Sequence, residues 1–160
     1  MTLAQLQEGQ MAPAFTLPAT SGGEVSLASL AGKVVVLYFY PKDDTPGCTL
    51  EAKTFCNLSP EFEAEGAAIL GVSRDSIPSH EKFMAKHALS GLTLLADTDG
   101  SVCEAYGVIK EKNMYGKKVM GIERTTFVLD GDGRIAKIYP RVKVDGHAEA
   151  VLTFVRSLKG

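Results

Sequence analysis

The chain has no long hydrophobic run. No apolar stretch reaches the roughly 18 residues of a membrane span, so no membrane association is expected. It also lacks a basic block. Seventeen Lys and Arg against nineteen Asp and Glu give a net charge of −2, without the electrostatic footprint of a nucleic-acid binder. The opening segment MTLAQLQEGQ has no basic region followed by an apolar core, so no secretory leader is expected and a cytoplasmic location is the default. Cysteine is scarce, with only three in 160 residues. In a reducing compartment that argues against a structural disulfide framework and for a reactive thiol. No pair among Cys48, Cys56, Cys103, His80, His87 and His147 has C-x-x-C or H-x-x-x-H spacing, so neither a structural zinc site nor another cofactor is expected. His80 and His87, seven apart, could share a helix face, and a solvated face is the expectation for both. There is no glycine-rich phosphate motif and no internal repeat.

What is present is organised around residues 33–56, KVVVLYFYPKDDTPGCTLEAKTFC. Residues 34–40 are β-branched, apolar and aromatic throughout, the pattern of a strand buried on both faces. Pro41 ends the strand. A short loop leads to Cys48 at the mouth of a helix carrying Leu50, Ala52, Phe55 and Cys56. A helix N-terminus offers unpaired N–H groups and partial positive charge, which favour a thiolate, the nucleophilic form of the side chain. Asp43 and Asp44 would oppose a thiolate if they pointed inward, and are expected to face water.

With 45% hydrophobic and 22% charged residues, the chain reads as one domain, residues 1–160, with a real core. Residues 1–12 read as a polar arm. Alternation around Ser21-Gly22-Gly23 predicts a hairpin. The helix opened by Cys48 is expected to break near Asn57-Leu58-Ser59-Pro60, with Ser59 capping a second piece that Gly66 closes. Strands are expected at 67–72 and 92–95, and helices at 79–88 and 99–106. Residues 110–119, with four lysines, read as a charged loop. Strands at 125–129 and 134–139 flank the turn signal Asp130-Gly131-Asp132-Gly133. An amphipathic helix at 148–158 closes the chain. This order predicts a thioredoxin-like α/β fold: a central mixed β-sheet flanked by helices, with an N-terminal β-hairpin. A flavodoxin-like domain is the rival, but it would want parallel strands to the end.

Pro41, Thr45 and Cys48 stand as P-x-x-x-T-x-x-C at the start of a helix. This resembles the peroxiredoxin active-site motif. The string YFYPKDDTPGCT is similar to the bacterioferritin comigratory protein, or peroxiredoxin Q, branch. The likeness extends to ILGVSRDS at 69–76, IKEKNMYGKKVMGIERTTF at 109–127 and the closing helix. It implies a thiol peroxidase that reduces hydrogen peroxide and organic hydroperoxides. Cys48 would attack one peroxide oxygen and become a sulfenic acid. The backbone N–H groups of Gly47 and Cys48 would meet the developing charge. Thr45 would accept from the hydroperoxide and donate to sulfur or oxygen, and Pro41 would keep solvent from the sulfur. Arg124 matches the family's distant arginine and would bind the peroxide; the plainer alternative is a surface pair with Glu123 or Glu111.

In this branch a resolving cysteine often lies five residues after the first, or in the helix after the second central strand. Lys53 and Met84 hold those positions here. Cys56 is eight residues past Cys48, roughly 12 Å along an intact helix. A disulfide needs Cα atoms about 4.4–6.8 Å apart. Cys103 is expected to be buried. A one-cysteine cycle is therefore favoured, with a thioredoxin, a glutaredoxin or a small thiol as reductant. A resolving role for Cys56, and more remotely Cys103, stays open. A thioredoxin-type disulfide oxidoreductase would need a cysteine where Glu51 stands. A non-catalytic redox sensor or holdase switched by Cys48 is the other alternative. No C-terminal extension reaches toward a partner subunit, so a monomer is expected.

Overall fold

The computed structural model describes residues 6–158. Its centre is a five-stranded sheet in the order β5-β4-β3-β8-β9. The strands are β3 (Val34–Phe39), β4 (Ala67–Ser73), β5 (Thr93–Ala96), β8 (Thr125–Leu129) and β9 (Ile135–Tyr139). β3 runs parallel to β4, with Val36 opposite Ile69, and antiparallel to β8, with Val35 opposite Leu129. Parallel neighbours need long crossovers, which helices supply. α1 (Pro46–Ala64) links β3 to β4, and α2 (Ile77–His87) links β4 to β5. α3 (Ser101–Ala105) follows β5, and α4 (His147–Ser157) closes the chain. The expected hairpin forms from β1 (Thr16–Pro18) and β2 (Glu24–Ser26).

β3 explains the two-sided core. Its side chains alternate between faces, and both faces are covered. Val35, Leu37 and Phe39 pack with Phe15, Leu17, Cys103, Tyr106 and Phe127. Val36, Tyr38 and Tyr40 pack with Cys48, Phe55 and Phe62 of α1, Phe83 of α2 and Val151 of α4. Hence the strand reads as an unbroken apolar run rather than an alternating one.

Two expectations fail. α1 does not break at Ser59-Pro60; it is one helix of 19 residues with Pro60 inside it. Proline has no N–H for the carbonyl four residues back, which belongs to Cys56. The Ser59 hydroxyl donates to that carbonyl at 2.8 Å, replacing the missing bond. Residues 110–119 are not a loop. β6 (Ile109–Met114) and β7 (Lys117–Ile122) form an antiparallel ribbon. Tyr115 and Gly116 make its turn with φ of 53° and 80°, the left-handed pair that a two-residue hairpin turn requires. β7 is exposed along most of its length, so no core face imposed an apolar alternation on it.

Of the polar arm, residues 1–5 lie outside the described residues. The rest is tied to β9: the Gly9 N–H donates to the Ile135 carbonyl at 2.7 Å, and the Ile135 N–H to the Gln10 carbonyl at 2.8 Å. No helix among the described residues is long and apolar enough to cross a membrane.

Candidate active site

Cys48 is the third residue of α1, after the N-cap Thr45, Pro46 and Gly47. Proline suits the first helical position because its missing N–H costs nothing there. The Gly47 and Cys48 N–H groups thus lie in the first turn, where the helix offers no upstream carbonyl. Cys48 is 2% exposed. Pro41 is half-buried just past β3. The Thr45 hydroxyl donates to the Lys42 carbonyl at 3.0 Å. Its hydrogen is therefore committed, and its lone pairs are left to accept; in this conformation it does not donate to sulfur.

Arg124 lies between β7 and β8 rather than within a strand. Its Nη2 donates to Cys48 Sγ at 3.2 Å, and its Nη1 to Glu51 Oε1 at 2.7 Å. Neither Glu123 nor Glu111 is its partner. Gly47 makes room for the guanidinium, since a Cβ there would sit 3.2 Å from Nη2. One cation therefore serves two groups that can carry negative charge. Glu51 is 1% exposed, and its Oε2 has no hydrogen-bond partner. Burial pushes the Glu51 carboxyl up to about 7, although Arg124 pulls the other way. Lys112 adds further positive charge nearby: its Nζ donates to the Ile122 carbonyl, and burial, then Arg124, lower its pKa while Cys48 opposes this.

Glu51 was not singled out in the sequence, yet the signal was there. It follows Cys48 by three residues, and such pairs share a helix face. Two further expectations are corrected. Asp43 does not face water; it is 7% exposed and accepts hydrogen bonds from Tyr40 and Ser79. His80 is not solvated; it is fully buried against Asp43. Asp44 is exposed, as expected.

The other cysteines lie elsewhere. Cys56 is half-buried two turns down the same unbroken helix, its Sγ 4.0 Å from the Ala88 carbonyl. Cys103 is fully buried in the cluster on the opposite face of the sheet from Cys48. Burial, then Asp97, push its thiol far above the ordinary range. Lys53 is exposed and Met84 half-buried.

A thiol held dry at the N-terminus of a helix that leaves the central strand, with a guanidinium on the sulfur, defines a thiol peroxidase on a thioredoxin-like fold. Comparison with known proteins carries this further: residues 8–138 match the model of the AhpC/TSA family, and the chain belongs to that family. Peroxiredoxin Bcp of Xanthomonas campestris is 51% identical over 148 residues, covering 91% of this chain and 92% of that one. Peroxiredoxin Bcp of Bacillus subtilis is 47% identical over 149 residues, covering 92% and 94%. A solved structure of the Xanthomonas campestris bacterioferritin comigratory protein, from work on its alkyl peroxide reduction, superposes with a TM-score of 0.86. It is 48% identical, with coverage of 91% and 92%.

Proposed function

We propose that residues 1–160 act as one peroxiredoxin domain that reduces hydrogen peroxide and organic hydroperoxides at Cys48 by a one-cysteine cycle. The observation that carries this reading is the Arg124 Nη2 contact to Cys48 Sγ at 3.2 Å. In the first step the thiolate attacks the terminal peroxide oxygen. An S–O bond forms as the O–O bond breaks; sulfur is oxidised by two electrons, and the leaving oxygen takes a proton to become water or an alcohol. Arg124 and the N–H groups of Gly47 and Cys48 stabilise the leaving oxygen as it gains charge. Thr45 accepts from the hydroperoxide O–H, and Pro41 limits water at the sulfur.

In the second step an external thiol attacks the sulfenic sulfur and releases water. A further thiol, from the same reductant or a second molecule, then frees the Cys48 thiolate. A thioredoxin, a glutaredoxin or a small thiol fits this role. The unbroken α1 and the location of Cys103 across the sheet favour an external partner over Cys56 or Cys103. A cytoplasmic monomer is the setting that composition suggests. Steady-state turnover with hydrogen peroxide and an organic hydroperoxide tests the reading. Cys48→Ser is expected to abolish turnover, and Arg124→Ala to slow peroxide attack by about 100-fold. Full turnover by Cys48→Ser would refute it.

A further inference from the structure

The loop that carries Thr45 to the helix mouth is gripped by α2, a helix that the peroxide chemistry does not otherwise use. Two consecutive aspartates make the grip. Outside, Asp44 Oδ2 accepts from Lys86 Nζ and its Oδ1 faces His87 Nε2, both at 2.8 Å. Asp44 holds φ at +62°, an uncommon conformation for a residue with a Cβ. Inside, Asp43 Oδ2 lies 2.7 Å from His80 Nδ1 and accepts from the Ser79 hydroxyl at 2.8 Å, while its Oδ1 accepts from the Tyr40 hydroxyl. The Asp43 N–H donates to Asp75 Oδ2 at 2.8 Å. His80 and His87, seven residues apart on one face of α2, thus meet the two neighbouring aspartates.

The inner contact constrains where the hydrogens lie. His80 Nε2 lies 2.9 Å from the Leu95 carbonyl oxygen, which can only accept, so Nε2 carries a hydrogen. Both carboxylate oxygens of Asp43 already receive hydroxyl hydrogens, which favours the ionised form. Burial opposes that charge, but bonds from His80 and Tyr40 outweigh it and hold Asp43 below the usual carboxylate range. With Asp43 ionised, the 2.7 Å contact takes a hydrogen from Nδ1, and the Tyr40 hydroxyl lies 3.3 Å from that same nitrogen. His80 is 0% exposed and Asp43 7%, so the contact is closed to water. Removing one partner of a buried ion pair leaves an uncompensated charge, so an ion pair in this place would be a stiff clasp.

We propose that Asp43 and His80 are positioning residues for peroxide attack: as an ion pair they pin the catalytic loop to α2 and so fix Thr45 relative to Cys48. Neither touches the reacting atoms. The proposal rests on the peroxidase reading of Cys48. A small shift of a group placed for the transition state is costly to that reaction and much less so to a reaction that does not use it.

The test has two parts. Nitrogen NMR of the reduced native protein, labelled at histidine, reads the charge state at pH 7.5. Both ring nitrogens of His80 are expected to be protonated, and Asp43→Asn to leave a hydrogen on Nε2 alone. Rapid-mixing kinetics then compare native protein and Asp43→Asn in two reactions of Cys48, oxidation by hydrogen peroxide and alkylation by iodoacetamide. Oxidation is expected to slow at least tenfold, while alkylation falls no more than threefold or rises. An unprotonated His80 nitrogen in the native protein overturns the clasp, whatever the variant does. So does an oxidation rate that stays native-like, or one that falls only in step with alkylation. If peroxide fails to oxidise Cys48 in the native protein, the peroxidase reading fails first.

Discussion

Arg124 is where the site's electrostatics concentrate, because its guanidinium faces both Cys48 Sγ and Glu51 Oε1. The peroxiredoxin resemblance singled out Cys48, Thr45 and Arg124, and the fold brings the Arg124 guanidinium onto Cys48 Sγ. For Glu51 the i, i+3 spacing from Cys48 placed it on the same helix face, but in sequence it is one of 19 acidic residues, and only the fold reveals that it is buried. That burial has a measurable consequence. The unfolded chain ionises Glu51 near 4.5, the folded protein near 7. Unfolding therefore releases a proton between these values, so this group's contribution is fully present below pH 4.5 and lost as pH rises to about 7. The difference corresponds to about 3 kcal/mol at most. His147 works the other way: burial, then Arg124, lower it to about 4, so its contribution is lost as pH falls from 6.5. A comparison with Glu51→Gln cancels the His147 effect. The stability of the native protein relative to Glu51→Gln is expected to decline from pH 4.5 to 7 and then level off, as read by denaturant unfolding across that range.

At the scale of elements, α1 decides how the cysteines relate. Its opening near Cys48 was legible from Leu50, Ala52, Phe55 and Cys56, although Pro46 and Gly47, which read as loop, already belong to its first turn. Its length was not, because a serine followed by proline reads equally as a new helix start. Burial of Phe55 and Phe62 on either side of Pro60 holds the helix together across it, and tertiary packing overrides local propensity here. The Ser59 bond to the Cys56 carbonyl makes a coupling prediction. Ser59→Ala alone is expected to cost about 1 kcal/mol. In a Pro60→Ala background the restored N–H satisfies the carbonyl, and the same change is expected to cost much less. A double-mutant cycle by denaturant unfolding measures the difference; an equal cost in both backgrounds would contradict the account. The β6–β7 ribbon escaped for the opposite reason, since a mostly solvent-exposed ribbon needs no apolar alternation to form.

For the whole molecule, the sheet is the divider. Alternating strand and helix patterns made the mixed α/β order legible, and a closing hairpin pointed to thioredoxin-like rather than flavodoxin-like topology. Which face each helix covers was not legible, and that is what separates Cys48 from Cys103. The central claim is that Cys48 is oxidised to a sulfenic acid that no other cysteine of this chain resolves. The direct measurement is intact mass after one equivalent of hydrogen peroxide, with and without the sulfenic-acid trap dimedone, followed by peptide mapping. The account predicts one dimedone adduct, on Cys48, with no internal disulfide. Loss of two hydrogens, mapping to a Cys48–Cys56 or Cys48–Cys103 disulfide, would contradict it: α1 would have to unwind or the core open in every cycle.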